Sequence, residues 1–388
     1  MIVLSRFIRL SLASACLLAL AACGTTDGGL SQQTPAPAVP AAPAEGVTRV
    51  ALIVPLTAAG GGAAAATSIK NAAEMAVAEF GVGSIALTVK DDLGTPAGAT
   101  TAAQQAVAEG AQVILGPLFA PSVAAAGTAA RTAGVPVIAF SSDANVATQG
   151  VYLLSFLPQN DVDRIVSHAA GAGKRSFAAI IPDSAYGTVA EGAFQQAVAR
   201  VGGRVATLER TAVDAGAITA ATARVSALVK AGQADVIFAP FDAAGIQAVA
   251  QALAAAGLNA GTVTLIGTGL WDDPRVASNP TLAGALFAAP DSAGFKAFAE
   301  RYRARYNTDP VRLATVGYDA VSLVKALVKT QGPQALAAPT ITNPSGFVGV
   351  DGAFRFLADG TNQRGLAVMR VAPEGPQIVS PAPRNFNS

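Results

Sequence analysis

The chain has 388 residues, of which 52% are hydrophobic and 13% are charged, and its 26 lysines and arginines nearly balance 25 aspartates and glutamates. This length predicts two domains with sizeable cores, and the charge balance excludes the basic footprint of a nucleic-acid-binding protein. One histidine and two cysteines exclude zinc sites of the Cys/His type, iron–sulfur clusters and a disulfide scaffold. We therefore expect no metal and no cofactor.

The first 23 residues carry the regions of a bacterial lipoprotein signal in the expected order. Arg6 and Arg9 precede an apolar run that is too short for a convincing membrane span, and small residues then lead to Cys23. This ending resembles the lipobox, which implies a signal peptide over residues 1–22 and lipidation of Cys23. The alternative is an ordinary signal peptide cut before an unmodified cysteine.

The following segment, residues 24–46, is rich in Pro, Ala, Gly and Thr and has no apolar period. Such a composition predicts a disordered tether, which as a coil would span about 25–30 Å. Together with Cys23 it forms the predicted region 23–46. We expect the folded body to contact the membrane only through this lipid anchor.

From Thr48 onward, short runs typical of strands alternate with longer helical patterns. The predicted strands are RVALIV, IALTVK, AQVILG, VPVIAF, FAAIIP, RVATLE, ADVIFAP and TLIGTG. The predicted helices cover residues 63–80, 188–202, 216–231, 243–256, 292–306 and 311–329. This alternation predicts an α/β fold with two doubly wound, parallel-sheet lobes. Near the end, Asp359-Gly360 between two strand-like runs predicts a C-terminal β-hairpin.

The sequence offers little support for catalysis. A G-x-S-x-G motif is missing, and a hydrolase triad would have to use His168, whose position on its helix predicts an exposed side chain. Ser322 and Lys325 match S-x-x-K, but the partner motifs of that enzyme class do not accompany them. We therefore expect no enzymatic activity and assign no catalytic residue.

Several segments resemble type I periplasmic binding proteins of the leucine/isoleucine/valine-binding kind. They are, in chain order, VALIVPLTAAGG, VKDD, ILGPLF, PVIAFSS, PDSAYG and the closing hairpin. The resemblance implies two lobes that are joined by a three-crossover hinge and close on a ligand. The implied lobes are residues 47–157 with 290–335, and residues 158–289 with 336–388. The implied crossovers lie near residues 157–161, 287–289 and 330–338.

A narrower resemblance rests on Gly116-Pro117-Leu118-Phe119 and on the stretches 267–273 and 349–356. These segments are similar to penicillin-binding protein activators, which are lipoproteins of the same fold. That resemblance implies regulation of peptidoglycan synthases from the membrane.

The wider resemblance also implies a ligand site between the lobes. The family serine that holds a ligand carboxylate is Ala120 here, and the second carboxylate-binding loop becomes Ser141-Ser142-Asp143. Ser141 and Ser142 keep hydroxyl donors. Asp143 adds a negative charge, which at about 4 Å would oppose a ligand carboxylate by roughly 1–4 kcal/mol.

Three residues of the second lobe are further candidates for ligand contact. Tyr186 matches the family tyrosine that packs over the ligand, and Asp242 and Trp271 occupy loops where the family places acidic and aromatic contacts. The alternatives are a core or hinge position for Tyr186, a helix N-cap for Asp242 and interlobe packing for Trp271.

Two functions remain open at this point. The first is a non-catalytic extracytoplasmic lipoprotein that binds a small polar solute of the amino-acid type for an ABC importer and its permease. The alternative is a penicillin-binding protein activator that acts by protein–protein contact. Either protein would lie in the periplasm or at the cell surface, and Gly24 after the lipidated cysteine favours the outer membrane of a two-membrane cell.

Overall fold

The computed structural model describes residues 46–386. Its first part alternates strands and helices as predicted. The elements are β1 (Thr48–Val54), α1 (Gly61–Ala76), β2 (Ile85–Asp91), α2 (Pro96–Ala108), β3 (Val113–Leu115), α3 (Ala120–Arg131), β4 (Val137–Ala139) and β5 (Val151–Leu153). Of the strands in this part, only β5 was not predicted.

The first five strands form one parallel sheet, which we call the first sheet, in the order β2-β1-β3-β4-β5. Successive side chains of a strand point to opposite faces. Leu52 and Val54 therefore pack with Ile69 of α1, whereas Ala51 and Ile53 pack with the alanines of α2 and α3. Because both faces are covered, the strands read as continuous apolar runs.

The chain then builds a second sheet with its own helices. These elements are α4 (Pro158–Gly171), β6 (Ser176–Pro182), α5 (Ala185–Arg200), β7 (Arg204–Thr211), α6 (Ala215–Lys230), β8 (Val236–Phe238), α7 (Ala243–Ala255), β9 (Thr264–Gly267), α8 (Pro274–Ala277) and β10 (Leu286–Ala289). Strands β6 to β10 pair in parallel, in the order β10-β9-β8-β6-β7.

The last part of the chain contributes to both sheets. Its elements are α9 (Ser292–Tyr306), α10 (Ala314–Gln331), α11 (Ala338–Ile341), β11 (Phe347–Gly349), β12 (Gly352–Phe356), β13 (Asn362–Arg364), β14 (Ala367–Arg370) and β15 (Gln377–Ser380). Strands β14 and β15 extend the second sheet in antiparallel orientation next to β10. Strands β11, β12 and β13 form a small antiparallel sheet. The predicted hairpin at Asp359-Gly360 is confirmed as the β12–β13 pair.

The packing of the small sheet corrects one expected boundary. Phe354 and Phe356 belong to the same apolar core as Leu52, and the Phe356 ring lies 5.7 Å from that of Tyr152. Residues up to Arg364 therefore pack with the first sheet, and not with the second lobe as we expected. The third crossover follows β13 instead of residues 330–338. The segment 330–338, where the family resemblance placed this crossover, contains the end of α10. The other lobe boundaries stay predictions.

Polar caps set where several helices begin. The side chains of Thr95, Ser184, Asp214 and Asp242 each accept a hydrogen bond from a backbone N–H in the first turn of the following helix. Such caps satisfy donors that a helix leaves unpaired. They fix each helix directly after the carboxyl end of a strand. Within residues 46–386, no helix has the length and apolar character that a membrane span requires.

Candidate functional site

Both large sheets share one strand order, and this order locates the candidate site. The direction in which successive strands are added to the sheet reverses between β1 and β3 in the first sheet, and between β6 and β8 in the second. Ligands of open α/β sheets bind beyond the carboxyl ends of strands at such switch points. The loops there are residues 55–62 and 116–122 in the first sheet, and 182–187 and 239–245 in the second. We call the first pair of loops, together with the neighbouring strand ends of the first sheet, the first-sheet edge. The second pair, together with the neighbouring strand ends of the second sheet, is the second-sheet edge.

Ser141, Ser142 and Asp143 follow β4 at the first-sheet edge. Ser141 is buried, and its Oγ accepts a hydrogen bond from the backbone N–H of Asp143 at 3.1 Å. Ser142 is exposed. The Asp143 Oδ1 atom accepts from the backbone N–H of Asn145 at 3.0 Å and from its side-chain amide at 2.9 Å. The added carboxylate thus caps its own turn, and Ser142 offers the freely exposed hydroxyl of this edge.

Apolar side chains also lie at the first-sheet edge. Ala120, at the position of the family serine, begins α3. The ring of the preceding Phe119 lies so close to Gly62 that a Cβ there would be 2.7 Å from its Cζ atom. Gly94 packs against the same ring. Glycine at 62 and 94 is therefore what lets Phe119 lie flat across this edge.

Leu93 is a feature of this edge that the sequence reasoning missed. Its φ angle is 57°, in the left-handed region that non-glycine residues rarely adopt, and its apolar side chain is 56% exposed. The Asp91 Oδ1 atom accepts from the Leu93 N–H at 2.8 Å and holds this conformation. Backbone strain of this kind clusters at functional sites. The Asp-Asp-x-Gly turn in the sequence was the available signal.

Tyr186 lies at the second-sheet edge, in the first turn of α5. It is half-buried, packs against the apolar core of the second sheet, and donates a hydrogen bond from its hydroxyl to Thr268 Oγ1 at 2.8 Å. Burial, with a contribution from the nearby charge of Asp161, raises the pKa of Tyr186 far above its usual range. The hydroxyl therefore stays protonated.

Asp161 of α4 completes this group. Its Oδ2 atom accepts from the backbone N–H of Gly269 at 2.9 Å. Burial raises the pKa of Asp161 to about 7, although the Gly269 N–H and the charge of Arg364 act in the opposite direction. The group of Tyr186, Thr268, Gly269 and Asp161 thus joins the ends of β6 and β9 to the start of α4.

The face of α4 that we expected to be solvated is partly covered. His168 is half-buried instead of exposed, and burial lowers its pKa. Arg164 donates from Nε to the carbonyl oxygen of Leu366 at 2.8 Å and from Nη2 to Ser380 Oγ at 2.7 Å. The antiparallel strands β14 and β15, which the helical period of α4 cannot reveal, cover this face.

Asp242 and Trp271 have structural positions. The Asp242 Oδ1 atom accepts from the backbone N–H of Gly245 at 2.8 Å, so the carboxylate caps α7, as the alternative interpretation held. Trp271 is 1% exposed and packs with Phe287 in the core of the second sheet, over Gly267. Neither cleft lining nor interlobe packing describes Trp271, because the loop turns its ring back under the strand ends.

The structure brings the candidates together in two groups and not in one. Ser141, Ser142 and Asp143 lie at one edge and Tyr186 at the other, while Asp242 is exposed beside the second edge. The predicted lipidation site Cys23 lies outside the described residues. In the part of the chain that the structure describes, no group of three or more His, Cys, Asp or Glu side chains is placed to hold a metal ion.

Buried charges at the boundary between the sheets were not foreseen. Arg312, just before α10, forms an ion pair with Asp351, which is 1% exposed. Thr315 Oγ1 donates to the second carboxylate oxygen of Asp351 at 2.6 Å. Burial raises the pKa of the neighbouring Asp319 to about 7. Charged residues inside otherwise apolar runs were the only sequence signal for this network.

The comparisons with known proteins agree with this architecture. The sequence profile of the family described as "Periplasmic binding protein" matches residues 47–376. The chain therefore belongs to the periplasmic binding protein family, and its α/β fold is that of the type I members. Membership implies an extracytoplasmic location. A search of curated proteins found no match.

Solved structures show the same fold at low sequence identity. A protein described as a branched-chain amino acid ABC transporter from Rhodospirillum rubrum has a TM-score of 0.75 and 19% identity, over 86% of this chain and 100% of that chain. A solute binding protein from Rhodopseudomonas palustris, solved with 3,4-dihydroxy benzoic acid, has a TM-score of 0.61 and 24% identity, over 88% and 98%. A leucine binding protein from Thermotoga maritima has a TM-score of 0.58 and 19% identity, over 87% of this chain and 99% of that chain.

Proposed function

We propose that this chain is the non-catalytic, substrate-binding component of an ABC importer and that it binds a small polar solute of the amino-acid type between its two large sheets. The observation that carries this proposal is the shared strand order of the two sheets, whose switch points coincide with the loops that the sequence marks as binding loops. Tyr186 lies at one switch point.

The side chains at the two edges support a solute with both a polar and an apolar part. Ser142 supplies an exposed hydroxyl group, which would orient a bound molecule. Tyr186 supplies its ring, because its hydroxyl is bound to Thr268. Leu93 and Phe119 supply apolar surface at the first-sheet edge. This combination fits leucine, for which one of the similar solved proteins is named, and 3,4-dihydroxy benzoic acid, which is bound in another.

The proposed attachment to the cell follows from the N-terminal sequence. Lipidated Cys23 would hold the protein on a membrane through residues 24–46, so that the folded body faces the periplasm or the cell surface. The outer membrane is the proposed location in a two-membrane cell. Labelling of the intact protein with a radioactive fatty acid tests this point, and a Cys23→Ser variant that keeps the label would contradict it.

A thermal-shift screen tests the solute proposal. Residues 46–388 are scanned against the amino acids, benzoate and dihydroxybenzoate. A solute at a hundred times its dissociation constant adds about 2.7 kcal/mol of stability, which raises the Tm by several degrees or less in a chain of this length. Tyr186→Ala should abolish the shift, and the matched control Tyr186→Phe should keep most of it. A screen without any saturable shift would count against the importer.

One set of observations favours the alternative, a penicillin-binding protein activator. Ala120 lacks the family hydroxyl, Trp271 is buried, and the Oδ1 atom of Asp242 is engaged in a helix cap, so fewer family contacts are free to hold a solute. A regulator acting by protein–protein contact would not need them. Two results together would support the activator: the wild-type protein pulls down purified penicillin-binding proteins, and the thermal-shift screen finds no solute that binds.

A further inference from the structure

Two arginines lie at the boundary between the large sheets with their charged ends inside the protein. The guanidinium group of Arg312 lies over the rings of Phe295 and Phe156, at 4.5 and 5.4 Å from the ring centroids. Its Nη1 atom pairs with Asp351. Its Nη2 atom is buried and has no hydrogen-bond partner within residues 46–386.

Arg364 is buried more deeply. It is 5% exposed, its Nε atom donates to the carbonyl oxygen of Ser155 at 2.9 Å, and its guanidinium group lies 4.6 Å from the ring centroid of Phe156. Among the described residues, neither Nη1 nor Nη2 has a hydrogen-bond partner. Arg364 ends β13, after which the chain enters the second sheet, and Ser155 lies between β5 of the first sheet and α4. One side chain thus links two of the segments that connect the sheets.

The carboxylates around these arginines come from both sides of the boundary. Asp351 and Asp319 belong to elements that pack with the first sheet, and Asp161 belongs to α4, which packs against β9 and β10 of the second. The charge of Arg364 acts on Asp319 and Asp161 alike. Across the boundary, Arg312 and Lys296 act on Asp272, which follows β9.

Asn362 reinforces the same junction. Its Nδ2 atom donates to the carbonyl oxygens of Leu153 at 2.7 Å and Ser155 at 2.9 Å, and its Oδ1 atom accepts from Asn160 Nδ2 at 2.8 Å. Asn160 is in the first turn of α4. A hydrogen-bonded path therefore runs from β5 through β13 to the helix that carries Asp161.

We propose that Arg364 and Arg312 are positioning residues that set the angle between the two large sheets, and hence the width of the solute site, by balancing carboxylates from both sides of the boundary. A guanidinium group in a low-dielectric interior requires nearby negative charge. Opening the boundary would move Asp161 and Asp272 away from the two arginines, and closing it further would crowd them. One angle is therefore favoured before any solute binds.

Arginine suits this role better than lysine. Its planar group stacks on Phe156 and offers several donors in a fixed plane, so the charge is held in one orientation. A lysine at 364 would keep the charge but lose the stacking and the bond to Ser155. We therefore expect Arg364→Lys to keep part of the wild-type restriction on the angle between the sheets and Arg364→Met to keep none of it.

A distance measurement between the sheets tests the proposal. Gln104 on α2 and Gln196 on α5 are exposed and are replaced by cysteine for spin labels, in the full chain with Cys16 and Cys23 replaced by serine. Pulsed electron resonance then gives the distribution of label distances without solute. We expect one narrow peak for the wild-type background, and for Arg364→Met a peak that is at least twice as wide or shifted by several ångströms. The matched control is Arg355→Met, a partly exposed arginine of β12.

The outcomes separate this proposal from the proposed function on which it rests. Circular dichroism first confirms that each variant is folded, and Arg312→Met replaces Arg364→Met if the latter is not. An unchanged distribution in the folded arginine variant overturns the positioning role, whatever the solute screen finds. Equal broadening in Arg355→Met would also overturn it, since loss of any arginine would then suffice. An intermediate width in Arg364→Lys supports it even if no solute is found.

Discussion

At the first-sheet edge Asp143 is held within its own turn, whereas at the second-sheet edge Tyr186 and Asp161 bind residues that are distant in the sequence. Asp143 is held by Asn145, two positions away. Tyr186 and Thr268 are 82 positions apart, and Asp161 and Gly269 are 108 apart. Local turns are set by a few residues, while distant contacts form only with the complete fold. The 141–143 turn thus depends on neighbouring residues alone, whereas the contacts of Tyr186 and Asp161 depend on the packing of the second sheet.

The largest expected effect on stability concerns the buried charges at the boundary between the two large sheets. Replacing Arg364 with methionine leaves Asp319 and Asp351 short of positive charge in the interior, and removal of one partner from a buried ionic group destabilises by about 3–5 kcal/mol. Urea unfolding of Arg364→Met measures this loss. Arg355→Met, on the partly exposed face of the neighbouring strand, should lose much less. Equal losses would show that the burial of Arg364 is not what matters.

The buried carboxyl group of Asp319 should also make the stability of the protein depend on pH. The pKa of Asp319 is about 7 in the folded chain against 3.8 for an unperturbed carboxyl, so the folded state keeps a proton that the unfolded state releases between these values. Stability from this group is therefore greatest at low pH and falls as the pH rises from about 4 to 7, by up to about 1.4 kcal/mol per pH unit. Beyond pH 7 the effect levels off.

Asp319→Asn removes this titration while its amide oxygen still accepts from the Val350 N–H. Unfolding free energies of the variant and the wild type between pH 4 and 8 should therefore converge or cross as the pH rises. Parallel curves would mean that Asp319 titrates alike in both states. The neighbouring charges Asp351, Arg364 and Arg312 are unchanged in the variant.

A smaller loss is expected at the second edge itself. Tyr186→Phe removes the donor that satisfies buried Thr268, and an unsatisfied buried hydroxyl destabilises by about 1–3 kcal/mol. Thermal unfolding monitored by the fluorescence of buried Trp271 measures this loss. No change in Tm would show that Thr268 finds another partner.

The smallest effect on stability is expected at the first edge. Asp143→Ala removes a cap from a single turn, which lowers stability by about 0.5–1 kcal/mol. The same change removes a negative charge beside the proposed site, so a carboxylate-bearing solute should bind several-fold more tightly. Titration of the variant with that solute checks this gain, and weaker binding would show that Asp143 contacts a cationic group.

The sequence predicts the alternation of strands and helices well, because apolar periods and Asp or Ser caps are local signals. Asp242, for example, is recognisable as a cap from its position before a helix. Trp271 was misjudged because its loop position does not reveal the direction of its ring. The third crossover was misplaced since Phe354 and Phe356 find their partner Tyr152 about 200 positions earlier in the chain.

The charged network shows the same limit. Arg364 reads as an ordinary strand residue, and only the fold brings Ser155 and Phe156 against it. Composition and spacing carry no information about such contacts. Leu93 could be predicted only in part. Its Asp-Asp-x-Gly turn is visible in the sequence, whereas its exposure at the first-sheet edge is not.

Calorimetric titration with the solute that gives the largest thermal shift is the decisive test of a solute site between the two sheets. We expect one binding site per chain for the wild type, an affinity for Tyr186→Phe within about tenfold of it, and an affinity for Tyr186→Ala that is lower by well over tenfold. Binding that is unaffected by Tyr186→Ala, or the absence of heat with every solute tested, would contradict a solute site at the switch points of the two sheets.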